Sequence, residues 1–295
     1  MLYIRAWDCC LLFVPWVFGD TSMTDKALNS FHASSFCNLI KVMSNGGKQG
    51  DKLINMIDTM DLWNKALKSA MVIPVVKVDR ETFIRKELAV YCNPEQLNIA
   101  ISDSPLKVLN KTQISKIANG CIKYHLTLVC STSALAGLPG GWGMIGTIPA
   151  DIAQFYAHVF ALIQKLLYLY GWPDLQNEQG ELDDETAQIL TLFTGVMMGS
   201  QAAVETVQRL GMEFAKQVVI RLPKKALTKY AVYNVAKQVA KWIGIKLTKD
   251  GFAKSISKII PLIGAPISAG VTYWTFKPMA NRLKRHLDEQ LNLLI

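Results

Sequence analysis

Apolar residues recur at helical spacing along most of this chain, with proline and glycine punctuating them. Asp51 to Met71 sets Leu53, Ile57, Met60, Trp63 and Leu67 on one side of a helix that Pro74 ends. Asp79 to Leu88 opens a second helix with acid in its first turn and base further on, the order the helix dipole favours. Asn93-Pro94-Glu95 marks a break with a fresh start, Ser104-Pro105 another, and Gln113 to Ser133 predicts a helix leading into a glycine-rich stretch. Thr147-Ile-Pro-Ala-Asp151 starts the clearest helix, with Phe155, Val159, Leu162, Leu166 and Leu169 at helical spacing and Gly171-Trp-Pro173 as its stop. Asp183-Asp-Glu185 is an acidic helix start. After it, Thr186 to Val204 is uncharged and reads as a buried central helix rather than a membrane span. Gly195 and Gly199, four apart, permit close helix crossing there. Leu222-Pro-Lys-Lys begins a helix carrying Leu227, Tyr230, Val235, Val239 and Trp242, and the chain closes on a basic helix end from Pro278 to Leu287. No strand-like alternation occurs, so the expected architecture is all-α, a compact multi-helix domain.

Two uncharged segments depart from this regularity. Leu126 to Ala150 runs 25 residues without charge, enough for one helix to cross a bilayer core of about 30 Å. Gly137, Gly140, Gly141, Gly143 and Gly146 weaken any such helix, and Pro139 and Pro149 remove backbone donors. A bent or re-entrant hairpin suits the segment better, because glycines let backbones approach closely. Ile259 to Phe276 is again uncharged, mixes proline with small residues, and predicts a second hairpin-like element.

Composition narrows the class without choosing within it. A chain of 295 residues can bury a large core, and an apolar share of 51% fits both a membrane-touching protein and a compact helical one. The net charge of +9 is unevenly spread. Seven acids and no Lys or Arg lie between Leu166 and Gln208, whereas eleven bases and one acid lie between Phe214 and Ile259. Lys216, Lys224, Lys225, Lys229, Lys237 and Lys241 lead this basic region, which favours polyanions or anionic lipid headgroups. The plainer reading is a solvated face partly neutralised by the acidic segment. No groove-reading or base-stacking motif accompanies the lysines, so nucleic acid is not an expected partner.

Cysteines 9, 10, 37, 92, 121 and 130 show no paired spacing, so neither a metal framework nor a disulfide framework is expected. Cys121 and His125 share a helix face and read as core packing. Near the start, the apolar run Cys9–Phe18 is interrupted by Pro15 and preceded by Asp8, a poor match to a signal peptide. Met43-Ser-Asn-Gly-Gly-Lys-Gln-Gly reads like a natural polar N-terminus. Residues 1–42 are therefore expected to be a poorly ordered extension or a weak anchor, and 43–295 a single helical domain.

Ala136-Gly-Leu-Pro-Gly-Gly through Ile148-Pro-Ala-Asp151, then Gln164-Lys-Leu and Tyr168-Leu-Tyr-Gly171, resembles the EcsC family of bacterial proteins. Lys258-Ile-Ile-Pro-Leu-Ile-Gly264 with Thr272-Tyr273 resembles that family's second proline-glycine element, and the likeness covers roughly Asp79 to Leu287. The matching positions are Gly137, Pro139, Gly140, Gly141, Pro149, Asp151, Pro261 and Gly264. The resemblance implies a helical domain, often encoded near an ABC-type transport system and usually taken to be membrane-associated. It implies no reaction, cofactor or catalytic residue.

An enzyme reading would pair Asp151 with His158, seven residues on and so on one helix face, as acid and base. No nucleophile motif, phosphate loop or metal set stands beside that pair, and glycines and prolines of this kind ordinarily shape turns. The expectation is thus a protein without catalysis or cofactor on the cytoplasmic face of the membrane or in the cytoplasm. Its expected partners are anionic lipid and a membrane protein. A soluble helical interaction scaffold and a membrane-permeabilising effector are the alternatives.

Overall fold

The computed structural model describes residues 59–136, 144–145, 148–176, 182–216, 232–240 and 264–294, all within the unit Ile57–Ile295. The expectations for residues 1–42, and the boundary drawn at 43, lie outside these residues. Among them the chain is all-α. The helices are α1 (Thr59–Met71), α2 (Arg80–Leu88), α3 (Pro94–Ser102), α4 (Lys111–Ala136), α5 (Ala150–Leu169), α6 (Asp184–Met198), α7 (Gln201–Lys216), α8 (residues 232–240) and α9 (Gly264–Leu294). Short 3₁₀ turns at Pro74–Val76 and Pro105–Lys107 follow the predicted breaks.

Local capping explains where the helices begin. The Asp79 carboxylate accepts from the Thr82 N–H at 2.7 Å, and Asp183 accepts from Thr186 N–H at 2.9 Å, each satisfying a donor that the first turn leaves free. Asn93 and Gln96 exchange side-chain and backbone bonds as a capping box, and so do Asn110 and Gln113 ahead of α4. Asp183→Ala should cost about 1 kcal/mol in a urea melt, the usual penalty for losing such a cap.

The C-terminal stops are equally local. Gly171 sits at φ +79°, its N–H donating to Tyr168 O and the next N–H, of Trp172, to Leu167 O. Gly199, at φ +86°, ends α6 in the same way, with Ser200 N–H donating to Gly195 O. Both are left-handed closures that favour glycine. The uncharged run Thr186–Val204 is therefore two helices turned at Gly199-Ser200. Its first part is the buried central helix expected, with Ile189 through Met197 enclosed.

The core is built around α5. From Ile152 to Leu169 only Gln154 and Lys165 are not buried, and α1, α2, α4, α6 and α9 all pack against this helix. Trp63 of α1 meets Tyr156 and Phe160 edge-on at 5.4 and 6.1 Å, and Phe276 of α9 meets Phe155 edge-on at 5.8 Å. Helices α4 and α9 run antiparallel, tied by Lys111 to Asn292 at one end and by Thr272 to Ser133 at the other. Gln164, wholly buried in α5, donates to Val76 O at 2.7 Å and so anchors the turn that follows α1.

Of the two proline-glycine segments, the first contains an antiparallel pairing of two residues a side, Met144 with Pro149 and Ile145 with Ile148, directly ahead of α5. The second differs from the hairpin expected: from Gly264 onward it is the opening of the 31-residue helix α9. Proline at the first turn removes an N–H that has no helical partner anyway, so Pro266 is tolerated there. Pro278 sits within the helix at an exposed position.

Candidate functional site

The polar residues that the fold brings together deepest lie on the seam between α4 and α5. His125 of α4 and His158 of α5, 33 positions apart, meet with their Nδ1 atoms 3.1 Å apart. His125 is 0% exposed and His158 3% exposed. One helical turn before His158, the Gln154 amide nitrogen lies 3.1 Å from His158 Nε2. With that amide donating, neutral His158 carries its proton on Nδ1 and donates to His125 Nδ1. The His125 proton is then on Nε2, which is buried with no hydrogen-bond partner among the described residues. Turning the amide over reverses every donor and acceptor, and His125 Nε2 is still unmatched. Either way the pair is neutral and shares a single proton along the Nδ1–Nδ1 line.

Charge around the pair is positive. Lys165, on α5, lies over the Tyr124 ring at 4.9 Å from its centroid. Burial, the larger cause, and then Lys165 press the His158 imidazole down to about 4; burial, Lys165 and His158 hold His125 well below the ordinary range. Burial likewise lowers the Lys165 ammonium, against the opposing pull of Cys121 and Glu87. Cys121, one turn before His125, is pushed up to about 12, chiefly by burial and then by Glu87. Such a thiol stays protonated and unreactive at neutral pH. The cysteines among the described residues, Cys92, Cys121 and Cys130, form no disulfide.

Of the pair Asp151 and His158, the described side chains include His158 alone. Asp151 stands in the first turn of α5, where its charge suits the helix dipole, and its side chain lies outside the described residues. His158 is engaged through both ring nitrogens inside the seam. A base enclosed in that way meets no substrate proton without a rearrangement. Cys121 and His125 share a face as expected, but the partner of His125 is His158, which their spacing alone does not reveal. Two members of the cluster, Gln154 and Lys165, were missed. Their signals are Gln154 one turn before His158, and Lys165 as a lone cation in an apolar helix. Among the described residues, no group of three or more His, Cys, Asp or Glu side chains could hold a metal ion.

The other named positions are scattered. Pro149 belongs to the short pairing and Gly264 opens α9, whereas Gly137, Pro139, Gly140, Gly141 and Pro261 lie outside the described residues. Of the basic set, Lys216 ends α7 and Lys237 is exposed on α8; Lys224, Lys225, Lys229 and Lys241 lie outside the described residues. Lys237 crosses the Tyr233 ring at 5.5 Å from its centroid, and Lys277 of α9 crosses the Tyr273 ring at 4.9 Å. Beside the second pair, Trp274 is 63% exposed.

A second polar group joins the ends of α2, α3 and α5. Arg80 donates to Ile101 O at 2.6 Å and to Asp103 O at 3.3 Å, while the Tyr168 hydroxyl donates to Asp174 at 3.0 Å. Burial, with Asp174 beside it, raises the Tyr168 hydroxyl far above the usual phenol range, so it acts as a fixed donor. These bonds close the helix ends against one another, which is a structural role. Compared with family models, with curated proteins and with solved structures, the chain finds no match in any of the three.

Proposed function

We propose that the protein works at an anionic membrane surface as a peripheral helical protein of the EcsC type, without a reaction of its own. The observation that carries this reading is the pairing of surface aromatics with lysines, exposed Tyr233 with Lys237 and half-buried Tyr273 with Lys277, next to the exposed Trp274. Tyr and Trp favour the boundary between water and acyl chains, and each lysine held near anionic headgroups contributes about 1 kcal/mol at modest salt. The eleven bases between Phe214 and Ile259 extend the same chemistry along the chain. Attachment from outside, without a crossing helix, agrees with the packing of α5. Ile152–Leu169 is long and apolar enough to cross a bilayer, yet 89% of that window is buried inside the protein.

Changing Lys224, Lys225, Lys237 and Lys241 together to Gln should weaken co-sedimentation with phosphatidylserine vesicles several hundredfold at low salt, from about 1 kcal/mol per lysine. Trp274→Ser should weaken binding independently of salt. Unchanged co-sedimentation by both variants would overturn the membrane reading. The soluble interaction scaffold, favoured by the burial of α5, would then take its place. Dye release from the same vesicles by the wild-type protein would point to the permeabilising effector.

A further inference from the structure

We propose that the seam between α4 and α5 is an acid-opened joint, because the buried His125–His158 pair cannot accept a proton without losing the bond that closes it. The geometry sets the constraint. Two Nδ1 atoms at 3.1 Å share one proton, and a second proton would place two donors face to face. His125 Nε2, buried without a partner among the described residues, already lacks a group to receive an added charge. The seam also has limited means of relieving one. On α5 the charge that acts on both rings is the Lys165 ammonium, of the same sign. From α4, Cys121 and Tyr124 face the site, the thiol held protonated and the ring already covered by Lys165. From α2, Lys86 and Glu87 act on Lys165 and Cys121. Along α9, at the level of His125 between the two ties to α4, stand Lys277, bound to the Tyr273 hydroxyl, and Arg282, bound to Met197 O. Helix α1 lies against Tyr156 and Phe160, and its Lys65 is paired with Asp61 at the exposed surface.

The direction of the effect follows from linkage. Above about pH 6.5 neither the closed nor the opened seam binds a proton at these rings. From there down to about 4, the value to which burial and Lys165 press His158, only the opened seam takes up protons. Stability of the joint is therefore complete at neutral pH and falls through that window. Opening would uncover the face of α5 that α4 covers, on the most buried helix described.

Amide exchange of the full chain without lipid tests this, corrected for the intrinsic pH dependence of exchange and followed in α4 and α5 from pH 7.5 to 4.5. The opening constant should rise about tenfold per pH unit for each histidine taking part, hence up to about a hundredfold per unit for the pair. His158→Asn keeps a side-chain amide near the lost Nδ1 and removes one titrating group, so the slope should halve on a logarithmic scale. His286→Gln, which removes another buried imidazole on α9, should leave the slope in α4 and α5 unchanged. A flat wild-type profile, or one unaltered in His158→Asn, overturns the proposal. If His158→Asn fails to fold, ring-proton titration of the wild type decides. Rings that charge near pH 6.5 while α4 and α5 stay protected defeat the joint; rings that charge only as protection is lost support it. Because lipid is absent throughout, the result stands apart from the membrane reading.

Discussion

Trp63→Ala should destabilise the protein by about 3–5 kcal/mol in denaturant melts, the usual range for deleting a buried large aromatic. Trp63 is 1% exposed and contacts Tyr156 and Phe160 of α5 edge-on, so its removal leaves a cavity between rigid rings that cannot easily collapse. Loss of the two ring contacts adds to the transfer term. Trp63→Phe keeps one ring and should cost less than half as much. An Ala variant within about 1 kcal/mol of wild type would mean that α1 is not part of the cooperative core. The same outcome would leave α5 uncovered on that side and strengthen any reading in which α5 leaves the protein for a membrane.

That contact also shows which features the sequence made legible. Trp63 and Leu67 stood out at helical spacing, and the caps at Asp79, Asn93 and Asp183 were readable because a cap involves residues only three apart. Helix α5, from its proline start to its stop at Gly171, was readable for the same local reasons. What local spacing could not supply was tertiary pairing. His125 and His158 were noticed separately, one with Cys121 and one with Asp151, yet their actual partners are each other across 33 positions. The turn at Gly199 was missed because glycine four residues after glycine serves equally as a helix crossing or as a left-handed stop. Gly195 proved to be the crossing and Gly199 the stop. Prolines at 261 and 266 suggested a second hairpin; Pro261 lies outside the described residues, and Pro266 falls in a first turn, where a helix accepts it.

Gly195→Leu should be the most damaging single change among the glycines, with a loss of about 3 kcal/mol or more in a urea melt. A Cβ at Gly195 would overlap Val235 Cγ1 of α8 and lie 2.8 Å from the Ala203 Cβ of α7. The Ala203 Cβ has no rotamer by which to withdraw, so α6 and α7 must separate or α8 must lift away. Overpacking of this kind typically costs about 1–3 kcal/mol, and a leucine carries three more carbons into the same space. Gly195→Ala is the calibrating variant. It gains up to about 1 kcal/mol of helix propensity, which partly offsets the clash and brings its net loss near 1 kcal/mol. The displaced element matters because α8 carries Tyr233 and Lys237. On the peripheral-membrane reading, the leucine variant should also bind anionic vesicles differently at temperatures where it remains folded. Near wild-type stability for Gly195→Leu would show that α8 is held only loosely to α6. The basic region would then act as an independent arm rather than as a face of the helical body.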